Sequence, residues 1–182
     1  VYVREVDGSI KDLTPGEETR ASFAGFTKDA SQFFITSNQR DAKFMDLYRV
    51  DSKTYKVTPV YQNTLGLDVG AISPDGRRLV AAEPDSGRVL VFDLRKDDMP
   101  AEMWTLVDFS SSGEEPQGLA FDESGLLYVG LGDTKKIKVF DLVQGTLLLT
   151  YDAGGPADCL SYSDGVLYVS GGDGLRSLRL NK

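Results

Sequence analysis

Residues 118–142 read GLAFDESGLLYVGLGDTKKIKVFDL and contain three short apolar segments separated by two polar turns. The first segment, Gly118–Phe121, leads into DESG, where Asp can bond its own backbone and Gly can take a positive φ. The apolar segment Leu127–Gly130 follows, and after the loop at Gly132–Lys136 the segment Ile137–Leu142 begins with alternating apolar and polar residues. This order predicts three neighbouring strands joined by hairpins.

The same order recurs along the chain at a period of about 40 to 50 residues. The opening segments are Ser22–Phe26, Gly70–Ser73, Gly118–Phe121 and Cys159–Tyr162. The second segments are Phe33–Thr36, Leu79–Ala82, Leu127–Gly130 and Leu167–Ser170, and the third are Leu47–Asp51, Val89–Leu94, Ile137–Leu142 and Leu175–Leu180. A fourth segment closes three units: Lys56–Tyr61, Met103–Asp108 and Leu147–Tyr151. Four short strands per unit favour the blades of a β-propeller over a sandwich or barrel.

We therefore expect an all-β fold, a β-propeller of about four four-stranded blades, in one domain over residues 1–182. The predicted blades 1 to 3 occupy residues 19–63, 64–112 and 113–154, and an incomplete blade 4 occupies residues 155–182. Residues 1–18 predict two strands that complete a blade at ring closure, which raises the total to about 17 strands. The surplus strand frays, adds to a neighbouring sheet, or reflects self-association through terminal strands, in which a second chain completes an eight-bladed ring.

The composition argues against several classes of partner. A net charge of −8 disfavours binding to nucleic acid or to anionic membranes. No apolar run approaches the roughly 20 residues that span a bilayer, and no signal-peptide pattern opens the chain, so we expect a soluble protein in an unknown compartment. The single cysteine, Cys159, is expected to be a small buried hydrophobe. Histidine is absent, which excludes a Ser-His-Asp triad within the chain.

Four segments near the N-terminus carry a family resemblance: Val1–Arg4, Asp12–Gly16, Thr36–Asp41 and Met45–Asp51. On these segments, residues 1–63 resemble the propeller of prolyl-oligopeptidase-type serine peptidases and the related TolB-like repeats. The resemblance implies a gating or substrate-orienting propeller, because catalysis in that family sits on a separate α/β-hydrolase domain. No G-x-S-x-G nucleophile elbow occurs in the chain, so the peptidase activity does not carry over.

A second style of repeat follows, carried by Ile72–Leu79, Val89–Leu94, Leu127–Gly130 and Val139–Leu142. On these segments, residues 66–182 resemble YVTN or NHL-type propeller repeats, whose members include lactonases and many protein-binding modules. The change of style near Asn63–Gly66 leads to the hypothesis of a mosaic, either natural or engineered as a chimera of propeller fragments.

Candidate site residues lie on loops, because a propeller presents its loops around the mouth of its channel. Carboxylates before the first strands could converge on a channel Ca²⁺; the candidate metal ligands are Asp68, Glu115 and Asp158. Polar residues between second and third strands could bind a polar ligand or a peptide; these candidates are Asn38, Arg40, Glu83, Asp85, Arg88 and Asp133.

The absence of histidine and of a compact acid/base cluster favours a non-enzymatic propeller, a scaffold or binding module of chimeric or engineered origin, with no obligatory cofactor. Two alternatives stay open. One is a lactonase- or hydrolase-like enzyme that uses carboxylates and a channel metal. The other is the propeller part of a larger peptidase.

Overall fold

A computed structural model describes residues 1–67, 70–95 and 102–180. Within these ranges the chain forms 17 strands and one short 3₁₀ turn at Pro84–Ser86, and no α-helix. None of the described residues belongs to a helix with the length and apolar character needed to cross a bilayer. The expected all-β class is confirmed, and the blades follow the predicted order of strands.

The strands form five antiparallel sheets in which neighbours in sequence are neighbours in space. An N-terminal ribbon contains β1 (Tyr2–Arg4) and β2 (Ile10–Asp12). Blade 1 contains β3 (Ala21–Phe26), β4 (Gln32–Asp41), β5 (Phe44–Asp51) and β6 (Val57–Tyr61). Blade 2 contains β7 (Ala71–Ile72), β8 (Arg78–Glu83), β9 (Arg88–Asp93) and β10 (Glu102–Asp108). Blade 3 contains β11 (Pro116–Phe121), β12 (Leu126–Leu131), β13 (Lys136–Asp141) and β14 (Thr146–Asp152). Blade 4 contains β15 (Cys159–Ser163), β16 (Val166–Gly171) and β17 (Gly174–Arg179).

Aspartates close the turns between the first and second strands, as the turn residues predict. Asp29 Oδ1 accepts a hydrogen bond of 2.7 Å from the hydroxyl of Thr27, and Asp75 Oδ1 accepts one of 2.6 Å from Ser73. In blade 3, the backbone N–H of Ser124 donates to Asp122 Oδ1. Side chains that bond their own turn in this way fix the hairpin and therefore the register of the two inner strands.

The second strand of each blade packs in two directions. Its middle residue faces the following blade: Phe34 lies in one apolar cluster with Leu79 and Ala81 of blade 2. Val80 of blade 2 in turn packs in a cluster with Leu127 and Val129 of blade 3, whose own middle residue, Tyr128, packs with Leu167 and Val169 of blade 4. Because side chains alternate along a strand, blades 2 and 3 each bury one face under their predecessor and the other under their successor.

Glycine permits the closest approach between blades 3 and 4. A Cβ on Gly130, in the middle of the apolar strand β12, would lie 2.2 Å from the carbonyl oxygen of Ala157. A Cβ on Gly118 in β11 would lie 2.9 Å from the same oxygen. These glycines carry no side chain because the backbone before β15 occupies the space that a side chain would need.

One sequence expectation about this region is wrong. Cys159 is exposed, although its position in a strand predicted a buried side chain. It is paired with Ser170 across the sheet, on the face of blade 4 that points away from blade 3. Strand periodicity gave the correct alternation of faces but could not reveal that this face has no neighbour within the described residues.

We expect Gly130→Ala to lower the free energy of unfolding by about 1 to 3 kcal/mol, because the new methyl group must displace backbone and not a movable side chain. Urea unfolding followed by circular dichroism would measure the change. Gly172→Ala is the matched control, since nothing lies within 4 Å of a Cβ at that position. Equal stability of the two variants would contradict the close approach of blades 3 and 4.

The end of β9 holds a second feature that can be tested. The Asp93 carboxylate is buried and accepts hydrogen bonds from the Arg95 guanidinium and from the Arg95 backbone N–H. The Arg95 side chain lowers the pKa of Asp93 from 3.8 to about 2. Since the folded-state pKa lies below the unfolded value, the ionised carboxylate stabilises the fold above pH 4, and this stabilisation is lost as pH falls from about 4 to 2.

We therefore expect Asp93→Asn to destabilise the protein near pH 6 by at most about 2 kcal/mol, because Arg95 is largely exposed and water screens the pair. The difference between wild type and variant should shrink towards pH 2, where the wild-type carboxylate is becoming protonated. Unfolding curves at several pH values between 2 and 6 would measure it. A difference that stays constant over this range would rule out the ion pair as its cause.

Candidate functional site

The loops of the blades lie at two opposite ends of the strands. Connections between blades and loops between second and third strands lie at one end, here called the loop end, because successive strands run antiparallel. The turns between first and second strands lie at the other, the hairpin end. At the loop end a cleft of about 630 Å³ opens between blades 2 and 3. Its lining includes Gly66, Leu67, Gly70, Ala82, Glu83, Pro84, Asp85, Ser86, Arg88, Gln117 and Leu119.

One wall of this loop-end cleft is the turn between β8 and β9. Pro84 starts a single 3₁₀ turn and Gly87 ends it in the left-handed region, at φ 69°. The turn brings Glu83 and Arg88 together, with Glu83 Oε2 2.6 Å from Arg88 Nη2. The hydroxyl of Ser86 donates to Glu83 Oε2 at 2.9 Å and accepts from Arg88 Nε at 3.3 Å. Glu83 and Ser86 thus orient the Arg88 guanidinium, and the Arg88 side chain is partly exposed to the cleft.

The opposite wall comes from the strands nearest the channel. Gln117 of β11 lines the loop-end cleft, and Asp158, just before β15, lies close by. A Cβ on Gly132 would lie 3.0 Å from Asp158 Oδ1 and 3.2 Å from Gln117 Nε2, so the two polar groups meet over this glycine. Neither side chain has a hydrogen bond among the described residues. Both groups are therefore available to a ligand.

A second cleft, of about 730 Å³, lies at the hairpin end and is lined by the first turns of blades 1 to 3. Its carboxylates serve the turns themselves. Asp29 and Asp75 accept the hydroxyl and backbone hydrogen bonds that hold their hairpins, and for Asp29 the bond from Thr27 is the largest cause of a lowered pKa. We therefore take the smaller loop-end cleft, whose polar groups are less committed, as the candidate site.

The structure brings three of the six predicted ligand-binding residues together: Glu83, Asp85 and Arg88 line the loop-end cleft. Asn38 is buried in blade 1, where its Oδ1 accepts a hydrogen bond of 2.7 Å from the backbone N–H of Arg20. This hydrogen bond links the residue before β3 to β4. The amide oxygen of Asn38 is therefore engaged within the blade.

The Arg40 guanidinium is also engaged by neighbouring residues. Its guanidinium makes a bidentate pair with buried Asp46, at 2.5 and 2.8 Å, and donates to the backbone carbonyl of Asn63 at 2.9 Å. The N–H of Asn63 donates to Asp46 as well. This network ties the chain after β6 back to β5, and it satisfies most of the donors that a ligand would need.

The remaining predicted residues are dispersed. Asp133 is exposed in the turn before β13, and Glu115 is exposed beside Glu114, which is held by Lys138 at 2.6 Å. Asp68 lies outside the described residues, so the structure does not place it. Of the candidate metal ligands, only Asp158 is seen at the edge of the loop-end cleft. The assignments of all nine residues stay predictions.

Sequence reasoning missed Gln117 and Ser86. Gln117 occupies the same kind of position as Asp158, close to the start of a first strand, but a neutral amide there is a weaker signal of a metal ligand than a carboxylate. Ser86 lies in a short polar turn, where a serine hydroxyl usually bonds only to nearby backbone groups. The local sequence does not distinguish either residue from an ordinary turn or strand residue. The role of Gln117 depends on a neighbouring blade, and the role of Ser86 depends on Arg88.

The described residues do not supply a complete site for a divalent cation. Ca²⁺ takes six to eight oxygen ligands, and Asp158 and Gln117 bring two side chains to one point. Within the ranges 1–67, 70–95 and 102–180, no three Asp, Glu or Cys side chains are grouped as metal ligands would be. The oxygen ligands that the described residues bring together therefore do not fit a Ca²⁺ ion.

Comparison with solved structures finds proteins whose fold is similar to that of this chain. The chain is similar to a calcium-binding protein, regucalcin, from Agrobacterium tumefaciens strain C58, with 16% identity and a TM-score of 0.59 over 92% of this chain and 60% of that one. It is similar to a luciferin-regenerating enzyme, with 18% identity and a TM-score of 0.62 over 92% and 62% of the two chains. A gluconolactonase from Xanthomonas campestris gives 17% identity and a TM-score of 0.63 over 97% and 64%. The chain thus spans about three fifths of the length of these relatives.

A search of curated protein sequences finds no significant match. One family model, described as SMP-30/Gluconolactonase/LRE-like region, matches residues 9–163. The match runs without a break across Asn63–Gly66, where the sequence pattern suggested a change of family.

These findings correct two expectations. The interpretation as a non-enzymatic, chimeric scaffold is wrong, because one family with gluconolactonase members covers most of the chain. The expectation that the protein is not an enzyme rested on the absence of histidine and of a compact acid/base cluster, and the same family match overturns it. The lactonase-like alternative agrees with it. The chain belongs to the SMP-30/gluconolactonase/LRE-like family.

Proposed function

We propose that this chain carries a lactone-hydrolase site in its loop-end cleft. The observation that carries the proposal is the convergence, in a chain of this family, of Arg88 and Gln117 on one cleft with Asp158 at its edge. The gluconolactonase from Xanthomonas campestris supports a cyclic ester as the substrate class. Because the chain spans only part of its relatives' length, its own activity is part of the proposal.

The cleft suits a small, hydroxyl-rich lactone. Its volume of about 630 Å³ is in the usual range for small-molecule sites. Arg88 and Gln117 offer several N–H donors and an amide oxygen, while Leu67 and Leu119 provide apolar contacts for the ring. A polyhydroxylated ring can use both kinds of contact, whereas an apolar ester would leave the polar groups unsatisfied.

The chemistry needs a base for water and a stabiliser for negative charge. In the proposed reaction, the Asp158 carboxylate accepts a proton as water adds to the lactone carbonyl carbon. Arg88, oriented by Glu83 and Ser86, donates hydrogen bonds to the oxygen that becomes negatively charged. The ring C–O bond then breaks and the proton passes to the leaving alkoxide, which gives an open hydroxy acid.

A channel Ca²⁺ was expected from the carboxylates, and the regucalcin relative is described as calcium-binding. We assign no step to a cation here, because the described residues provide an incomplete donor set.

The local resemblances to prolyl-oligopeptidase, TolB-like, YVTN and NHL propellers stay interpretations of short segments. A single family model over residues 9–163 includes both regions, and it supports one lactonase-type propeller better than a peptidase accessory domain.

We expect the protein to hydrolyse glucono-δ-lactone, and Arg88→Leu to reduce kcat/KM by about 100-fold because an oriented donor to the oxyanion is lost. Acid release in a pH-stat, corrected for spontaneous hydrolysis, measures the rate. Arg77→Leu is the matched control, since Arg77 is a largely exposed arginine at the hairpin end. No hydrolysis above background by the wild-type chain, or an equal loss in both variants, would refute the assignment.

We expect Asp158→Asn to lower kcat by at least about 100-fold with little change in KM, because the amide cannot accept the proton of water. Steady-state kinetics at pH 7 would show this. Asp133→Asn provides a control at an exposed carboxylate in the neighbouring turn of blade 3. A rise in KM alone would assign Asp158 to binding and contradict its role as the base.

A further inference from the structure

Two polar residues of the proposed site lie where regular strand pairing does not fix them. Gln117 sits in an irregular stretch of β11, because the register of β11 with β12 shifts between Pro116 and Leu119. Asp158 precedes the first register pair of blade 4, and a backbone hydrogen bond of 3.0 Å joins its N–H to the carbonyl of Ser170. The positions of both side chains therefore depend on the connections that lead into the two blades.

A guanidinium holds the connection that leads into blade 4. Arg176 Nη2, on the third strand of that blade, donates a hydrogen bond of 2.6 Å to the carbonyl oxygen of Pro156. Arg176 Nη1 donates to Asp173 Oδ1 at 2.5 Å, and this carboxylate orients the planar group. The guanidinium lies against Gly155, since a Cβ on that residue would be 2.4 Å from Nη1. Asp158 follows two residues after the carbonyl that Arg176 holds.

The backbone around this carbonyl is confined by two blades. A Cβ on Gly171 of blade 4 would lie 2.5 Å from the Pro156 oxygen, and the next carbonyl, that of Ala157, lies against Gly130 of blade 3. Arg176 supplies a charged donor to this confined stretch. Because the peptide units between Pro156 and Asp158 have little room to adjust separately, a change in how the Pro156 carbonyl is held moves the Asp158 side chain as well.

A lysine holds the connection that leads to Gln117 in blade 3. Lys138 Nζ lies 2.6 Å from Glu114 Oε2, and the two side chains are only 16% and 13% exposed. The same ammonium group lies over the ring of Phe109, 4.5 Å from its centroid. Phe109 is the first residue after β10 and Glu114 lies three residues before Gln117. One cation thus contacts the connection at its beginning and near its end.

The two cations occupy equivalent positions of the repeat. Lys138 and Arg176 are each the register partner of the fourth residue of the second strand in their blade. Blades 1 and 2 have Tyr48 and Leu90 at this position. A cation here is therefore not a requirement of the blade fold. It occurs in the two blades whose polar residues meet over Gly132.

We propose that Arg176 is a positioning residue for Asp158 and that Lys138 is its counterpart for Gln117. The inference rests on the proposed lactone-hydrolase function, in which Asp158 accepts the proton of water and Gln117 binds the substrate. Neither cation is among the described residues that line the loop-end cleft, so each acts through the backbone that it holds. Arg176 should therefore affect kcat, and Lys138 should affect KM.

We expect Arg176→Met to lower kcat for glucono-δ-lactone by about 10- to 100-fold, with KM within about 2-fold, because a base displaced by about 1 Å loses this much. Arg176→Lys keeps a charged donor near the Pro156 carbonyl and should lose less. Arg179→Met is the matched control, since Arg179 is an exposed arginine on the same strand, and it should leave both constants unchanged. An equal loss in Arg176→Met and the control overturns the proposal.

We expect Lys138→Met combined with Glu114→Gln to raise KM by about 3- to 10-fold, with kcat within about 2-fold, because a misplaced Gln117 loses a hydrogen bond to the substrate. The double variant removes the ion pair without leaving a buried charge unpaired. Lys136→Met is the control, at an exposed lysine on the same strand. The reverse split, in which the Lys138 variant loses kcat and the Arg176 variant gains KM, contradicts the proposal.

Hydrogen exchange followed by NMR gives a measurement that does not need activity. Arg176→Met should speed exchange of the Asp158 amide by at least about 10-fold relative to Arg179→Met, while the amides of β12 keep their wild-type rates. Equal exchange of the Asp158 amide in both variants overturns the positioning role, as does an equal rise throughout β12. A wild-type chain that does not hydrolyse the lactone refutes the proposed function, and the exchange rates then decide by themselves whether Arg176 holds the connection.

Discussion

Every junction in this molecule depends on the alternation of side chains along the second strand of a blade. Phe34, Val80 and Tyr128 point forward to the next blade, and their neighbours point back. A strand buried on both faces must be apolar at successive positions, and the sequence shows this as short continuous apolar runs. The blades stack because neither face of these strands can be left in water without cost. The position of each loop, and hence the cleft, follows from this stacking.

The candidate site depends on the stacking more than on its own residues. Gln117 belongs to blade 3 and Asp158 to the start of blade 4, and they meet over Gly132 because Gly118 and Gly130 let the two blades approach closely. The pair of Glu83 and Arg88 is local to one turn, and the cleft lies between that turn and the next blade. A shift of one blade against its neighbour would separate the two walls.

Much of the fold could be predicted from local patterns. The apolar runs and the Asp- and Gly-rich turns located the strands, since both depend on residues a few positions apart. The site was predicted only in part. Glu83, Asp85 and Arg88 share one loop and were found together, whereas Asn38 and Arg40 looked equivalent in pattern but are engaged by Arg20 and Asp46. The presence of such a partner cannot be inferred from one loop, because the partner lies 18 residues away in one case.

The sequence by itself determined the blade repeat, the turn chemistry, the acidic character and the absence of histidine. It did not determine the function class, which the pattern of residues led us to assign wrongly and the family match corrected. Only the tertiary structure decided which polar groups are engaged, which glycines are required by a neighbouring backbone, and which side chains pack between blades in the part of the chain that the structure describes. The physical reason is that strand periodicity is a local property of the chain, whereas burial and pairing depend on contacts between distant segments.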